Sequence, residues 1–150
     1  MGLITPDVLA LRDKYNLPGM RVLQFAFGDG EGNYFLPHHY VPNTVAYTGT
    51  HDNNTTLGWW NSISDHEKTF AKQYLGTDGE AINWVMMNVI SKSVANTVIF
   101  PMQDVLDLPG EFRMNYPGHP DGNWEWRFSW DQLKPEHTLA LAEMTIEHGR

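Results

Sequence analysis

Short apolar segments that alternate with helical segments constrain the fold of this 150-residue chain more than any other feature. Three of them have the branched and aromatic composition of buried strands: Arg21–Phe27 (RVLQFAF), Thr44–Thr48 (TVAYT) and Thr97–Phe100 (TVIF). Strands separated by helices are typical of parallel βα units. We therefore predict an α/β protein with a parallel sheet and helices packed outside it.

Helix starts are marked by caps and prolines. Helices are predicted to begin at Thr5, Ser64, Thr77 and Pro135. Ser64 and Thr77 are each followed by glutamate three residues later, which is the capping-box spacing. The last helix is expected to run to His148. A single helical turn is predicted over Gln103–Leu108, and irregular structure over Glu111–Trp130.

Charge and composition exclude several classes of protein. Ten basic side chains against 18 acidic ones leave a net charge of −8, which argues against nucleic-acid binding because phosphate neutralisation needs a Lys/Arg stripe. The chain has no cysteine, hence no disulfide framework, and no apolar stretch long enough to cross a bilayer. We expect no membrane association and a cytoplasmic location, or a plastid one if the chain comes from a plant.

The strongest local signal for a functional site is the polar run from Tyr47 to Thr55 (YTGTHDNNT), directly after the second predicted strand. Polar residues at the carboxyl end of a buried strand face the ligand crevice or barrel mouth in α/β proteins. A simpler alternative is that Asp52 and Asn53 only cap the helix that follows.

Other chemistries find weaker support. The candidate metal ligands are His38, His39, His51, Asp52, Asp104 and His119. Helical ligand spacing such as H-E-x-x-H is missing, and we expect no metal. The glycines after the first strand precede no helix start and have no nearby lysine, which argues against a nucleotide site, and no G-x-S-x-G elbow supplies a serine nucleophile. We therefore expect no cofactor.

The segment from Asn115 to Arg127 (NYPGHPDGNWEWR) combines turn residues with two tryptophans. One interpretation is a surface loop that Trp124 and Trp126 pin into the core. The other places its amides and an aromatic ring at a sugar subsite, because aromatic faces suit sugar rings as well as cores.

Four stretches of the sequence resemble one known family. They are LITPDVLALRDKYNLPGMRVLQFAFG, LPHHYVPNTVAYTGTHDNNTTLGWW, MQDVLDL and RMNYPGHPDGNWEWR. In this order they are similar to the C-terminal part of the 4-α-glucanotransferases (amylomaltase or disproportionating enzyme, glycoside hydrolase family 77). The resemblance runs over nearly all of residues 1–150, and its motifs are long and specific.

The resemblance implies a (β/α)8 barrel whose strands 6 to 8 are the three segments above. It also implies retaining transfer of α-1,4-glucan chains. In the family, the His-Asp pair after the seventh strand stabilises the transition state, so Asp52 would hold ring hydroxyls of the reacting glucose and His51 would assist. Five further positions are carried over as residues expected to face the glucan: Gln24, Phe27, Asn53, Gln103 and Asn115.

The resemblance further implies that two catalytic carboxylates are missing. The family's acid/base glutamate begins an E-D-L-G motif, of which Gly2 matches the glycine, and the nucleophilic aspartate belongs to an earlier strand. Residues 1–150 would thus be an incomplete barrel, inactive alone, that either requires the N-terminal part or self-associates. Two other hypotheses are a non-catalytic α-glucan-binding module and, less favoured, a metal-dependent hydrolase.

Overall fold

The computed structural model describes residues 4–150; the predicted match at Gly2 lies outside them. Six helices and three strands follow one another as α1 (Pro6–Lys14), β1 (Gly19–Val22), β2 (Thr44–Tyr47), α2 (Thr56–Ser62), α3 (Asp65–Leu75), α4 (Ile82–Lys92), β3 (Thr97–Ile99), α5 (Met102–Val105) and α6 (Pro135–Glu147). None of these helices is long and apolar enough to cross a bilayer.

The three strands form one parallel sheet in the order β1-β2-β3. Gly19 lies opposite Thr44, and Val45 lies opposite Thr97, so the strands start at nearly the same level. The prediction of a parallel α/β sheet is confirmed. Because the strands run in the same direction, the segments that follow them emerge at one edge of the sheet.

The first predicted strand is too long. The sequence predicts it over Arg21–Phe27, but β1 ends at Val22 and Leu23–Phe25 forms a 3-10 turn. Two hydrogen bonds stabilise the turn: Gln24 N–H donates to the Thr48 carbonyl (3.2 Å), and the Asn33 amide donates to the Phe25 carbonyl (2.9 Å). A buried apolar run has no periodicity that separates a strand from a helical turn, which explains the error.

The predicted helix start at Ser64 is confirmed. Its hydroxyl accepts from Glu67 N–H (3.2 Å), and Ser64 N–H donates to the Glu67 carboxylate (3.1 Å). The predicted start at Thr77 is wrong, because α4 begins at Ile82 and the Thr77 hydroxyl instead accepts from Gly79 N–H in the preceding turn. Gly79 has φ +107° and lies against the Trp60 ring, so tertiary packing decides where this helix begins.

The helices cover only one face of the sheet. Ala46 on that face packs with a core that includes Leu23, Phe27, Leu36, Trp59, Ile82, Met86 and Ile90. On the opposite face Val22 is buried, but Met20 is about half exposed, Val45 and Tyr47 are partly exposed, and Ile99 is 44% exposed. One face is therefore a closed core, and the other is a largely uncovered apolar surface.

A second exposed apolar region lies beside β1. Helix α1 has no buried residue, and Val8 and Leu11 are more than half exposed, although their helical spacing with Tyr15 is typical of a packed face. A groove of about 1130 Å³ runs between α1, β1 and the loop that carries Tyr34 and Phe35. We call this region the β1-side groove.

Candidate active site

A cavity of about 450 Å³ lies over the carboxyl ends of β2 and β3. Its wall is formed by Met20, Tyr47, the loop from Gly49 to Thr55, Ile99, Phe100, Pro101, Gln103, Arg113, Met114 and Trp124. The polar run singled out in the sequence is therefore the largest continuous part of the wall. We call residues 49–55 the His-Asp loop.

Side chains within the His-Asp loop fix its shape. Thr50 donates to the Asn53 side-chain oxygen from both its N–H (3.0 Å) and its hydroxyl (2.8 Å), and Asn53 N–H donates back to the Thr50 carbonyl (3.1 Å). The cap of α2 is Thr55, whose hydroxyl accepts from Gly58 N–H at 3.1 Å. Asp52 and Asn53 do not cap this helix, so the capping alternative is wrong.

Asp52 is held at one carboxylate oxygen. The Asn115 amide donates to Oδ1 at 2.6 Å, His51 Nε2 lies 3.4 Å from the same oxygen, and the Arg113 guanidinium donates to the Asp52 main-chain carbonyl. No residue within 4–150 donates to Oδ2, and the side chain is 55% exposed. The carboxylate is thus oriented while one of its oxygens remains available to a ligand.

The loop over residues 113–124 folds back onto the His-Asp loop. Trp124 N–H donates to the Met114 carbonyl (2.9 Å), and the Trp124 ring lies 4.9 Å from the His51 ring, centroid to centroid. Trp124 adopts φ +66°, an uncommon conformation for a bulky residue. Its side chain is 53% exposed and lines the cavity, so the interpretation of Trp124 as a core anchor is wrong.

The other predicted site residues divide into three groups. Asn53 and Gln103 line the cavity. Gln24 is buried and supports the His-Asp loop from beneath, because its amide donates to the Asn54 carbonyl at 3.0 Å. Phe27 is 1% exposed and packs against Trp59 in the core, so we correct its expected role from glucan contact to packing.

The candidate metal ligands are dispersed. His38 Nδ1 pairs with the Tyr74 hydroxyl (2.9 Å), and His39 Nε2 pairs with the Glu31 carbonyl (3.1 Å). The Asp104 carboxylate is saturated by threonine donors. Over residues 4–150 the structure contains no group of three or more His, Asp or Glu side chains that could hold a metal ion.

Two residues organise the site in ways that the sequence did not indicate: Arg113 was not singled out, and Asp104 was considered only as a candidate metal ligand. Arg113 stacks on the Tyr116 ring (4.6 Å) while it holds the Asp52 main chain. It lies inside the RMNYPGHPDGNWEWR segment that carries the resemblance, which was an available signal. Asp104 accepts hydrogen bonds from Thr48 and Thr56, which precede it by 56 and 48 residues. No local spacing in the sequence could have indicated those contacts.

Comparison with known proteins agrees with this arrangement. A family model described as 4-alpha-glucanotransferase matches residues 1–133. The chain belongs to the 4-alpha-glucanotransferase family. The 4-alpha-glucanotransferase of Thermus thermophilus is 52% identical over 96% of this chain, and that of Synechocystis is 47% identical over all of it. The chain spans about 30% of the length of these two relatives.

A solved amylomaltase structure has the same fold over the part that matches this chain. The amylomaltase from Streptococcus agalactiae in complex with acarbose superimposes with a TM-score of 0.95 at 35% identity. The match covers 100% of this chain and 31% of the amylomaltase chain. The arrangement of helices and strands described above is therefore also found in about one third of that amylomaltase chain.

Proposed function

We propose that the cavity binds an α-1,4-glucan and that Asp52 stabilises the transition state of retaining glucan transfer. The observation that carries the proposal is the state of Asp52: a half-exposed carboxylate, fixed through one oxygen by Asn115 and free at the other. Such an oxygen can accept from the 2- and 3-hydroxyls of a glucose ring. These bonds strengthen as positive charge develops on the sugar.

Retaining transfer also needs a nucleophilic carboxylate and a carboxylic acid about 5 Å apart. Within residues 4–150 the cavity wall carries one carboxylate, Asp52. We therefore propose that the nucleophile and the acid/base group are supplied by chain other than these residues. The 150-residue chain should have no transferase activity alone.

Other residues of the wall suit a neutral sugar. The exposed Trp124 ring offers an aromatic face, and the Asn53 and Gln103 amides lie at the same cavity. Gln103 donates its Nε2 to the Phe112 carbonyl (3.2 Å), which leaves its side-chain oxygen available as an acceptor. We infer that Trp124 stacks on one glucose unit while these amides bind hydroxyls of the same chain.

We propose that β1, β2 and β3 are strands 6 to 8 of a (β/α)8 barrel. The uncovered sheet face supports this, because parallel sheets are normally covered on both faces and the inner side chains of a barrel fill its interior. The partners of this face and of the β1-side groove would be the remaining strands or, in their absence, a second copy of the chain.

The proposed compartment is the cytoplasm. The plant relative from Arabidopsis thaliana, 47% identical over the whole of this chain, is named chloroplastic/amyloplastic, so a plastid is the alternative if the source is a plant.

A chimera tests the catalytic proposal. The aligned segment of the Thermus thermophilus relative is replaced by this chain, and disproportionation of maltotriose is measured. Asp52→Asn should lower kcat/KM by about 100- to 1,000-fold, because hydrogen bonds specific to the transition state are lost. The matched control is Asp121→Asn, an exposed aspartate on the 113–124 loop that does not line the cavity, and it should stay within twofold.

Three outcomes would contradict the proposal. A folded chimera without activity would do so, as would an Asp52→Asn chimera that retains its rate. Turnover by the isolated 150-residue chain would show that the missing carboxylates are not needed. The rival hypothesis is a non-catalytic binding module. It predicts that calorimetric titration of the isolated chain with maltoheptaose gives a measurable affinity, and that Asp52→Asn leaves kcat/KM of the chimera unchanged.

A further inference from the structure

A buried carboxylate lies beneath the His-Asp loop, outside the cavity. Asp104 is 1% exposed, and three donors surround it. The Thr48 and Thr56 hydroxyls donate to Oδ2 at 2.6 and 2.7 Å, and Thr56 N–H donates to Oδ1 at 2.8 Å. Asp104 is absent from the cavity wall and would not touch a ligand there.

The two threonines bracket the His-Asp loop. Thr48 follows the last residue of β2, and Thr56 is the first residue of α2. Seven residues, including His51 and Asp52, lie between them. Because both ends of this segment bind the same carboxylate, their separation is fixed, and the loop has far fewer conformations available than a segment tethered only through its chain.

Asp104 is itself held in place. Its main-chain carbonyl accepts from the Asn83 amide (2.6 Å), and Asn83 is 1% exposed on α4. The network therefore joins β2 and α2 to the α4 and α5 helices on either side of β3. Burial raises the pKa of Asp104, and the bonds from Thr48 and Thr56 oppose that rise.

Burying a carboxylate costs desolvation free energy, and apolar residues of similar volume usually stabilise a core as well or better. Its donors identify what it does instead. All three belong to the two residues that bound the His-Asp loop, and the loop presents Asp52 to the cavity.

We propose that Asp104 is a positioning residue for Asp52: it fixes both ends of the His-Asp loop and so sets where the Asp52 carboxylate meets the sugar ring. The inference rests on the proposed function of Asp52. It distinguishes Asp104 from residues that bind the glucan, because loss of Asp104 should weaken the chemical step while glucan binding through Trp124 and the amides persists.

The kinetic test uses the Thermus thermophilus chimera. Asp104→Ala should lower kcat by about 10- to 100-fold with KM within about threefold, because small displacements of a catalytic group cost rate rather than ground-state affinity. Asp104→Asn should recover part of the loss, since its amide keeps an acceptor for Thr56 N–H and can donate to the threonine hydroxyls.

Asp107→Asn is the matched control. It makes the same chemical change one turn later on an exposed side chain and should leave kcat within twofold. A kcat for Asp104→Ala within twofold of the unsubstituted chimera would overturn the proposal, and so would an increase in KM that accounts for the whole loss.

A second readout does not require activity. Amide hydrogen exchange in the chimera should accelerate about 10-fold or more at Thr50, Asp52 and Asn53 in Asp104→Ala, while α3 amides stay within about twofold. Equal acceleration in α3 would reveal general destabilisation and overturn the proposal, as would an unchanged loop. If the unsubstituted chimera is folded but inactive, the proposed function fails, and the exchange result still decides whether Asp104 orders the loop.

Discussion

The cavity side of the sheet and the β1-side groove are built by different interactions. The loops around the cavity are held by directed hydrogen bonds, which Asp52, Asn115 and Asp104 each make within the chain. Beside β1, the surface is apolar and unpaired, and α1 buries none of its residues. The loops of the site therefore hold their own geometry through hydrogen bonds, whereas α1 and the β1-side groove have no such network and leave apolar side chains exposed.

The two regions should differ most in how the free energy of unfolding responds to one added methyl group. A Cβ on Gly58 would lie 2.6 Å from the Gly110 Cα and would also meet the Asn54 side chain. Gly58→Ala should destabilise the chain by about 2–3 kcal/mol, because a backbone cannot yield as a side chain can. Urea unfolding measures the difference.

Gly32→Ala is its counterpart in the β1-side groove. Nothing lies within 4 Å of the position that its Cβ would occupy, so the change should cost no stability. Equal losses for the two variants would show that the cavity side is no more tightly packed than the groove.

An intermediate effect is expected at Trp124. Trp124→Ala in the chimera should weaken maltoheptaose binding about 10-fold, because an aromatic face against a sugar ring is lost. Trp130→Ala is the control, since Trp130 is 78% exposed and does not line the cavity. Equal weakening by both would argue against a specific contact at Trp124.

The smallest effect on folding is expected on α1. Replacing Val8 and Leu11 together by glutamate should change the free energy of unfolding by less than about 0.5 kcal/mol, because both side chains are exposed. Self-association should fall, which sedimentation would show as a shift toward 17.2 kDa. Ile146→Glu on α6 places the same charge on another exposed position and should leave association unchanged.

Sequence reasoning succeeded where one segment determines its own structure. The capping box at Ser64 needs only four residues, and the polar run after β2 follows from the direction of a single strand. It failed where contacts between residues far apart in the sequence determine the burial and role of a side chain. The resemblance places Phe27 at the glucan, but its ring packs against Trp59, Phe70 and Tyr74, which lie more than 30 residues away in the sequence.

The same limit explains why the sequence did not indicate the hydrogen bonds to the Asp104 carboxylate. Asp104 is separated by 56 residues from Thr48 and by 48 from Thr56, so nothing in the local spacing connects them. A buried acid also looks like any surface acid in the sequence. The resemblance assigns Asp52 and Asn115 to one site, and in the structure the two side chains are hydrogen-bonded. It carries no information about what supports them from beneath.

The close approach of Gly58 to Gly110 has a consequence for exchanging parts between relatives. The His-Asp loop leads into α2, and Gly110 leads into the loop that supplies Arg113 and Asn115. Main chains in contact leave no flexible layer that could absorb a change in either loop. A loop taken from a relative should therefore function here only when the loop that contacts it is taken from the same relative.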